Sequence, residues 1–331
     1  MQKKSLMHSA INSVKGNLII VGIVILIIVT SIIEPKFLTL GNFENIIRQF
    51  GVLIFVALGM TFVIMGGFID LSVSGIISLV VVVMVSLVDP IGQVNAIIVG
   101  ILIGLACGLL NSFLIISCGA LTQAEALFLT YGMGLVYAAL ALMYTEGMTI
   151  FLSYAETPIT IFNAIGTGSL GSIPIAFIIF FVCLVILFII QRWTYIGRSI
   201  VLIGENIVAS RLSGIPITKS VVFIYAVSGV MTAIGAVNLI SRVMLASPVI
   251  GGAIGGGYET QAILAVVVGG TAMSGGRGSV LWTVIGALVL TLMNNSLNLM
   301  GVSSYIQMML RGAILILAIL LDRQKQISEG K

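Results

Sequence analysis

Charge is what this chain has least of. Only 8% of its 331 residues are Asp, Glu, Lys or Arg, against about 25% in ordinary soluble domains, and that shortage excludes a water-facing surface around the whole molecule. One histidine is present, His8, in the polar N-terminal tail, so a histidine-ligated metal centre is excluded. The three cysteines, Cys107, Cys118 and Cys183, fall in or beside apolar runs, where thiols behave as small hydrophobes. They offer neither a disulfide framework nor metal-ligand spacing. No nucleophile elbow, catalytic histidine or acidic metal cluster is present, so a membrane-embedded enzyme has no support. The net charge of +4 is spread over loops and does not point to nucleic acid.

What the chain has instead is apolar length. Hydrophobic residues make up 59% of it, the mean hydropathy is +1.24, and apolar runs recur from Asn17 to Leu321 with no hydrophilic block large enough to fold alone. This predicts a single transmembrane domain over 1–331. A bilayer core about 30 Å thick needs roughly 20 apolar residues in helical form. On that measure ten segments stand out: 17–33, 50–66, 75–88, 93–116, 126–146, 173–191, 221–241, 260–274, 280–299 and 305–321. The first is followed by Glu34-Pro35-Lys36 and not by a small-residue cleavage site, so it is expected to be retained as a helix. The third and eighth reach only roughly 21–23 Å as helix and are expected to be tilted, enclosed in the bundle or re-entrant. The predicted fold is therefore an all-α polytopic membrane protein of about ten transmembrane helices, some short or broken.

Ten crossings beginning inside place both termini in the cytoplasm, and the basic residues test that choice. Lys3, Lys4, Lys15, Arg192, Arg198, Arg211, Lys219, Arg277, Arg323, Lys325 and Lys331 fall inside, whereas only Lys36, Arg48 and Arg242 fall outside. Arg311 lies within the last apolar run. Moving one crossing anywhere before residue 192 destroys the asymmetry.

Glycine is abundant, with 38 residues. Those at Gly100-Gly104-Gly108 and Gly132-Gly134 fit close helix packing. The clusters Gly66-Gly67, Gly255-Gly256-Gly257, Gly269-Gly270 and Gly275-Gly276 end short apolar segments, as in broken helices that line a cavity. Ionisable groups near membrane depth are few: Asp70, Glu125, Glu259 and Arg311. Asp70 and Glu259 precede apolar segments, where carboxylates also cap helices, and their places near segment edges weigh against proton-coupled transport. Asn111, Asn238, Asn294, Asn295 and Asn298 provide uncharged hydrogen-bonding amides for a neutral solute, with Tyr131, Tyr258 and Trp282 as stacking faces. Each asparagine is equally readable as an interhelical hydrogen bond.

The cytoplasmic segment 192–220 contains Gly204-Glu205-Asn206-Ile207-Val208-Ala209-Ser210-Arg211-Leu212-Ser213-Gly214-Ile215-Pro216, room for about two turns of helix with Ile207, Ser210, Arg211 and Leu212 open to a partner. Read alone, it is also a solvated basic loop. It resembles the coupling loop of ribose-type permeases of ABC importers. Two further stretches resemble signatures of that family: Gly66-Gly67-Phe68-Ile69-Asp70-Leu71-Ser72-Val73, and Gly257-Tyr258-Glu259 through Gly269-Gly270-Thr271 to Ser274-Gly275-Gly276-Arg277-Gly278. Asn294-Asn295-Ser296-Leu297-Asn298-Leu299 continues the second. The chain departs from the family over Leu121 to Gly132, where a Pro-Pro-Phe-Ile-Val-Thr-Leu-Gly-like stretch is usual: the prolines are missing, and Gln123 and Glu125 are added. The resemblance implies a subunit of the bacterial inner membrane that carries a monosaccharide such as ribose. It implies a cytoplasmic ABC ATPase gripping Gly204, Glu205, Asn206, Ala209, Ser210, Arg211, Leu212, Ser213 and Gly214, an extracytoplasmic sugar-binding protein, surrounding lipid, and a second permease, identical or related. ATP is expected on the ATPase and no cofactor on this chain, because Met273-Ser274-Gly275-Gly276-Arg277 imitates an ATPase signature without any Gly-x-x-x-x-Gly-Lys-Ser/Thr loop in the sequence to cradle phosphate. An ATPase-independent secondary transporter or channel for a small neutral solute remains the alternative.

Overall fold

The computed structural model describes residues 18–171, 173–251 and 257–328. His8, Lys3, Lys4, Lys15, Gly255, Gly256 and Lys331 lie outside the described residues. Fourteen α-helices are described. In chain order they are α1 (Leu18–Ile33), α2 (Leu40–Met65), α3 (Val73–Ser86), α4 (Val88–Ile91), α5 (Gln93–Ser117), α6 (Gln123–Thr145) and α7 (Thr160–Thr167). Then come α8 (Ile175–Trp193), α9 (Tyr195–Glu205), α10 (Ile207–Leu212), α11 (Ile217–Val243), α12 (Tyr258–Val268), α13 (Val280–Leu299) and α14 (Ser304–Ser328). Two two-residue antiparallel pairings, Ile150–Phe151 with Leu245–Ala246 and Ser169–Leu170 with Ile173–Pro174, fasten connecting loops.

Helices dominate because a backbone among hydrocarbon must satisfy its own hydrogen bonds, and proline-free apolar runs allow it to. Their starts are marked in the sequence. Thr39 Oγ1 accepts from Asn42 N–H at the start of α2, and Thr122 with Glu125 forms a reciprocal capping box on α6. The departure at Gln123-Ala124-Glu125 thus builds a helix start without proline. Among the described residues six helices are long and apolar enough to cross a membrane: α2, α5, α6, α8, α11 and α13. The segment expected at 75–88 keeps its 14 residues in α3, displaced by two, whereas that expected at 260–274 is shorter, with 11 residues in α12. The segment expected at 50–66 begins ten residues earlier, at Leu40, because capped polar residues extend α2 beyond its apolar run.

The core is built on α2 and α11. Gly51 lies against Asn238, Gly59 against Ser228 and Gly66 against Ile224, so the two run antiparallel at near backbone contact. Helix α11 also packs against α3 and α5, while α2 packs against α12 and α13. Helix α3 is flanked by α5 and α6, and α12 by α13 and α14. The long helix of each half, α2 and α11, thus packs against helices of the other half. The α3–α6 pair is parallel, since Gly75 meets the Gly134 carbonyl near one end and Ser86 Oγ lies 2.7 Å from the Tyr144 hydroxyl at the other.

Helices α5 and α11 cross at backbone contact. A Cβ at Gly104 would meet the Gly229 carbonyl, one at Gly108 the Tyr225 carbonyl, and one at Gly229 the Gly104 carbonyl. Replacing Gly108 by Val is therefore expected to destabilise the bundle by about 1–3 kcal/mol, read as earlier thermal unfolding in detergent. Gly132→Ala, where an added Cβ meets nothing within 4 Å, is the control and should leave unfolding unchanged.

A second expectation concerns the loop after α6. The exposed Asp89 carboxylate on α4 accepts the Thr157 N–H and O–H, both at 2.9 Å, and these bonds hold its carboxyl below the ordinary carboxylate range. Because the native value is the depressed one, the tether is fully present above the unfolded value of about 4 and is lost as pH falls through the native value. Hydrogen exchange around 149–157 should stay constant from neutral pH to about 5 and accelerate below about 4, after correction for intrinsic exchange. Asp89→Asn should remove that acid step.

Candidate functional site

Three glycine loops meet at one end of the bundle. The Gly276 N–H donates to the Met65 carbonyl at 3.0 Å. Gly204, at the end of α9, sits so close to both that a Cβ there would collide with the Met65 carbonyl and lie 2.5 Å from Gly276 N. Gly275 presses on Gly67 and on the Gly204 carbonyl. Gly67, Gly275 and Gly276 have φ of +82°, +85° and +77°, a region that side chains other than glycine enter only with strain. Glycine is thus required twice over, by conformation and by proximity. Gln191 on α8 closes the junction, donating to the Gly278 carbonyl and accepting the Val280 N–H, each at 2.9 Å. Gln123 donates to the Met273 carbonyl at 2.7 Å.

The short helix α10 projects from this junction. Its N-cap is Asn206, whose Oδ1 accepts the Ala209 N–H at 2.9 Å, and Gly214 at φ +75° ends it. Glu205, Asn206, Ala209, Arg211, Ser213 and Gly214 are exposed. Leu212 is 85% and Val208 65% exposed, an apolar tip that none of the described residues covers. Ser210 corrects the sequence reading: it is expected there to face a partner, but it is buried, since position 210 is on the inward side of a helix lying against the bundle. The amphipathic α9, which places this helix, is a feature that the sequence reading does not contain.

Asp70, just beyond Gly67, is fully buried and held by three groups. Its Oδ1 accepts the Ser72 N–H at 3.0 Å and O–H at 2.6 Å, and its Oδ2 accepts the Ser228 O–H of α11 at 2.8 Å. Ser72 Oγ accepts from Asn111 Nδ2 at 2.7 Å, and Asn111 Oδ1 accepts the Tyr137 O–H at 2.9 Å. One carboxylate thereby ties the signature loop to α5, α6 and α11. Glu259, in the first turn of α12, accepts the Ser74 O–H. Gly269 fits against the Trp282 carbonyl of α13, and Gly66 and Gly270 occupy turns.

At the opposite end the helices part around a polar cavity of about 200 Å³ whose lining includes Gln49, Arg242, Tyr258, Asn294, Asn298 and Arg311. The five asparagines therefore separate. Asn294 and Asn298 face the cavity. Asn295 forms a reciprocal amide pair with Asn42, at 3.0 and 2.8 Å, Asn111 belongs to the Asp70 network, and Asn238 is buried against α2 beside Gly51. Of the aromatics, Tyr258 reaches this cavity, Tyr131 lines a second one beside Ser74 and Glu259, and Trp282 is exposed. Among the described residues no cluster of metal-ligating side chains is present.

Residues 42–319 match the family model described as branched-chain amino acid transport system / permease component. The chain belongs to this permease family. Over 311 residues the permease is 39% identical to the ribose import permease protein RbsC of Bacillus subtilis strain 168, spanning 92% of this chain and 91% of that protein. It is 36% identical over 305 residues to RbsC of Haemophilus influenzae, covering 91% of each. It is also 32% identical over 321 residues to the galactose/methyl galactoside import permease protein MglC of Escherichia coli K12, covering 92% of this chain and 93% of that protein. No solved structure matches the permease.

Removing the Asp70 carboxylate should leave three buried donors without an acceptor. Hydrogen bonds to charged groups contribute about 1.5–3 kcal/mol each, so Asp70→Ala is expected to lower the unfolding temperature of the permease more than Ser228→Ala, which removes only one. Equal effects would show that the carboxylate does not organise the loop.

Proposed function

We propose that the chain is the membrane-spanning permease subunit of an ATP-driven sugar importer, in the bacterial inner membrane, with ten crossings and both termini cytoplasmic. The helix directions support alternating crossings: α2 is antiparallel to α11, and α3 parallel to α6, as their order in the chain requires. The basic residues Arg192, Arg198, Arg211 and Lys219 surround the junction end, which supports placing it inside. The family description speaks of amino acids, but the relatives that match over nearly their full length are named for ribose and galactose, and they weigh more on substrate class.

The observation that carries the reading is the exposed α10. A six-residue helix with an uncovered apolar tip, rooted in a junction that touches the ends of α2, α9 and α13, is built to be gripped. A cytoplasmic ABC ATPase docking there and closing on ATP would move Gly204 against Met65 and Gly276, and so shift α2 relative to α13. ATP belongs to that partner. A sugar-binding protein delivers solute at the opposite end, and a second permease, identical or related, completes the pathway within the lipid.

Leu212→Glu is expected to abolish co-purification of the ATPase and weaken its affinity about thirtyfold or more, as for loss of an interface hot spot, while membrane insertion and unfolding temperature stay unchanged. Ser210→Glu is expected to lower stability as well, since it puts a charge in a buried place. Transport by the purified chain alone in liposomes would favour the secondary-transporter reading instead.

A further inference from the structure

The second cavity lies where two short helices begin. Helices α3 and α12 have 14 and 11 residues, fewer than the roughly 20 that a crossing takes, and their first turns meet: the Ser74 hydroxyl of α3 donates to the Glu259 carboxylate of α12. The meeting point is at mid-depth, because the neighbouring Gly75 lies against the carbonyl of Gly134, the central residue of the 23 in α6. Short helices that start inside a bundle are where transporters hold solute.

The cavity has a volume of about 370 Å³ and two unlike walls. Helix α6 contributes an apolar wall that carries one aromatic ring, Tyr131, which is 53% exposed. Facing it are Ser74, Glu259 and Thr260, all partly accessible. Among the described residues no Lys or Arg lines the cavity. A carboxylate at membrane depth is costly unless it is hydrated or paired, and it accepts about four hydrogen bonds. Ser74 supplies one hydroxyl donor, so Glu259 has capacity for more. The walls hold no cation to receive an anionic solute, and among the described residues no group of acids forms a metal-ligand set. What fits is a ligand with several neutral hydroxyl donors on one side and an apolar face on the other.

We propose that this cavity is the mid-membrane binding site for a neutral monosaccharide, with Glu259 accepting ring hydroxyls, Ser74 and Thr260 adding hydroxyl contacts, and Tyr131 covering the face of the ring. Its volume falls at the small end of the about 300–1,000 Å³ usual for ligand pockets, as a single sugar ring requires. The cavity extends along α6 from Tyr131 to Leu142, away from the glycine junction and toward the end at which solute is delivered. The proposal rests on the importer reading and gives its pathway a point of sugar recognition.

The test is ATP-driven uptake of D-ribose and D-galactose by the permease, co-purified with its partners and reconstituted in liposomes. Glu259→Gln, which keeps the shape and removes the charge, is expected to lower the maximal rate for the transported sugar at least about tenfold. Tyr131→Ala should lower it as well, whereas Tyr131→Phe, which keeps the ring, should retain it. Gly132→Ala, beside Tyr131 with nothing within 4 Å of an added Cβ, is the control. Because Glu259 also holds Ser74, the exposed Tyr131 tests the site independently of folding, and ATPase capture and unfolding temperature should match wild type in both Tyr131 variants. A thiol in the cavity, Ala138→Cys combined with Cys118→Ala and Cys183→Ala, should react with a water-soluble maleimide and be protected by the transported sugar. A thiol that stays unreactive overturns the proposal, as do wild-type rates in both Glu259→Gln and Tyr131→Ala. Capture of the ATPase by a permease that moves neither sugar overturns it too and leaves the importer reading standing. Uptake by the chain alone, driven by a pH gradient and lost in Glu259→Gln, overturns both, since Glu259 would then carry a proton.

Discussion

Everything in this permease depends on how closely its backbones approach. In lipid there is no hydrophobic force to bring helices together, and packing contact takes over. Here that contact is reached where side chains are missing. Gly104 and Gly108 let α5 lie against the carbonyls of α11, Gly59 lets α2 do the same, and Gly286 nests against the Ala265 carbonyl of α12. The same device, moved to the helix ends, makes the junction of Gly67, Gly204, Gly275 and Gly276. Packed interiors transmit displacement because they leave no slack. A junction made of backbone alone has even less compliance, having no side-chain rotamers to absorb a push.

Polar groups inside the bundle divide into those that lock and those that wait. The Asp70 network and the Asn42–Asn295 pair are mutually satisfied and fix one arrangement of α2, α3, α5, α6, α11 and α13. At the far cavity, Arg311 and Asn294 keep unmet atoms. The protein thus combines a stiff middle and junction with an electrostatically incomplete end. The junction beside α10 and the cavity share two helices, since α2 and α13 belong to both.

The helices themselves are plain in the sequence, because apolar length and caps are local properties. Every expected apolar segment carries a helix, and the short third and eighth are short for the reason their composition gives, an interruption by glycine and polar residues. The short helix α10 is equally visible between Gly204 and Gly214. Its outward face is not: Ser210 turns inward and Val208 outward because α9, an amphipathic helix hidden within a basic loop, sets the rotation of α10. The asparagines show the same limit. Five amides of one type share the same two expectations, solute contact or interhelical hydrogen bond, and the structure sorts them by their neighbours, such as Asn42, 253 residues away, for Asn295.

Membrane residence, the helices and the family motifs come from the sequence alone, since each depends on composition or on residues close in the chain. The packing of α2 and α11 against helices of the other half, the meeting of Met65, Gly204 and Gly276, and the presence of Arg242 and Arg311 in the lining of one cavity were decided only by tertiary structure. They depend on which backbones approach which, and that choice is made by long-range packing in which small residues at matching heights on different helices find one another.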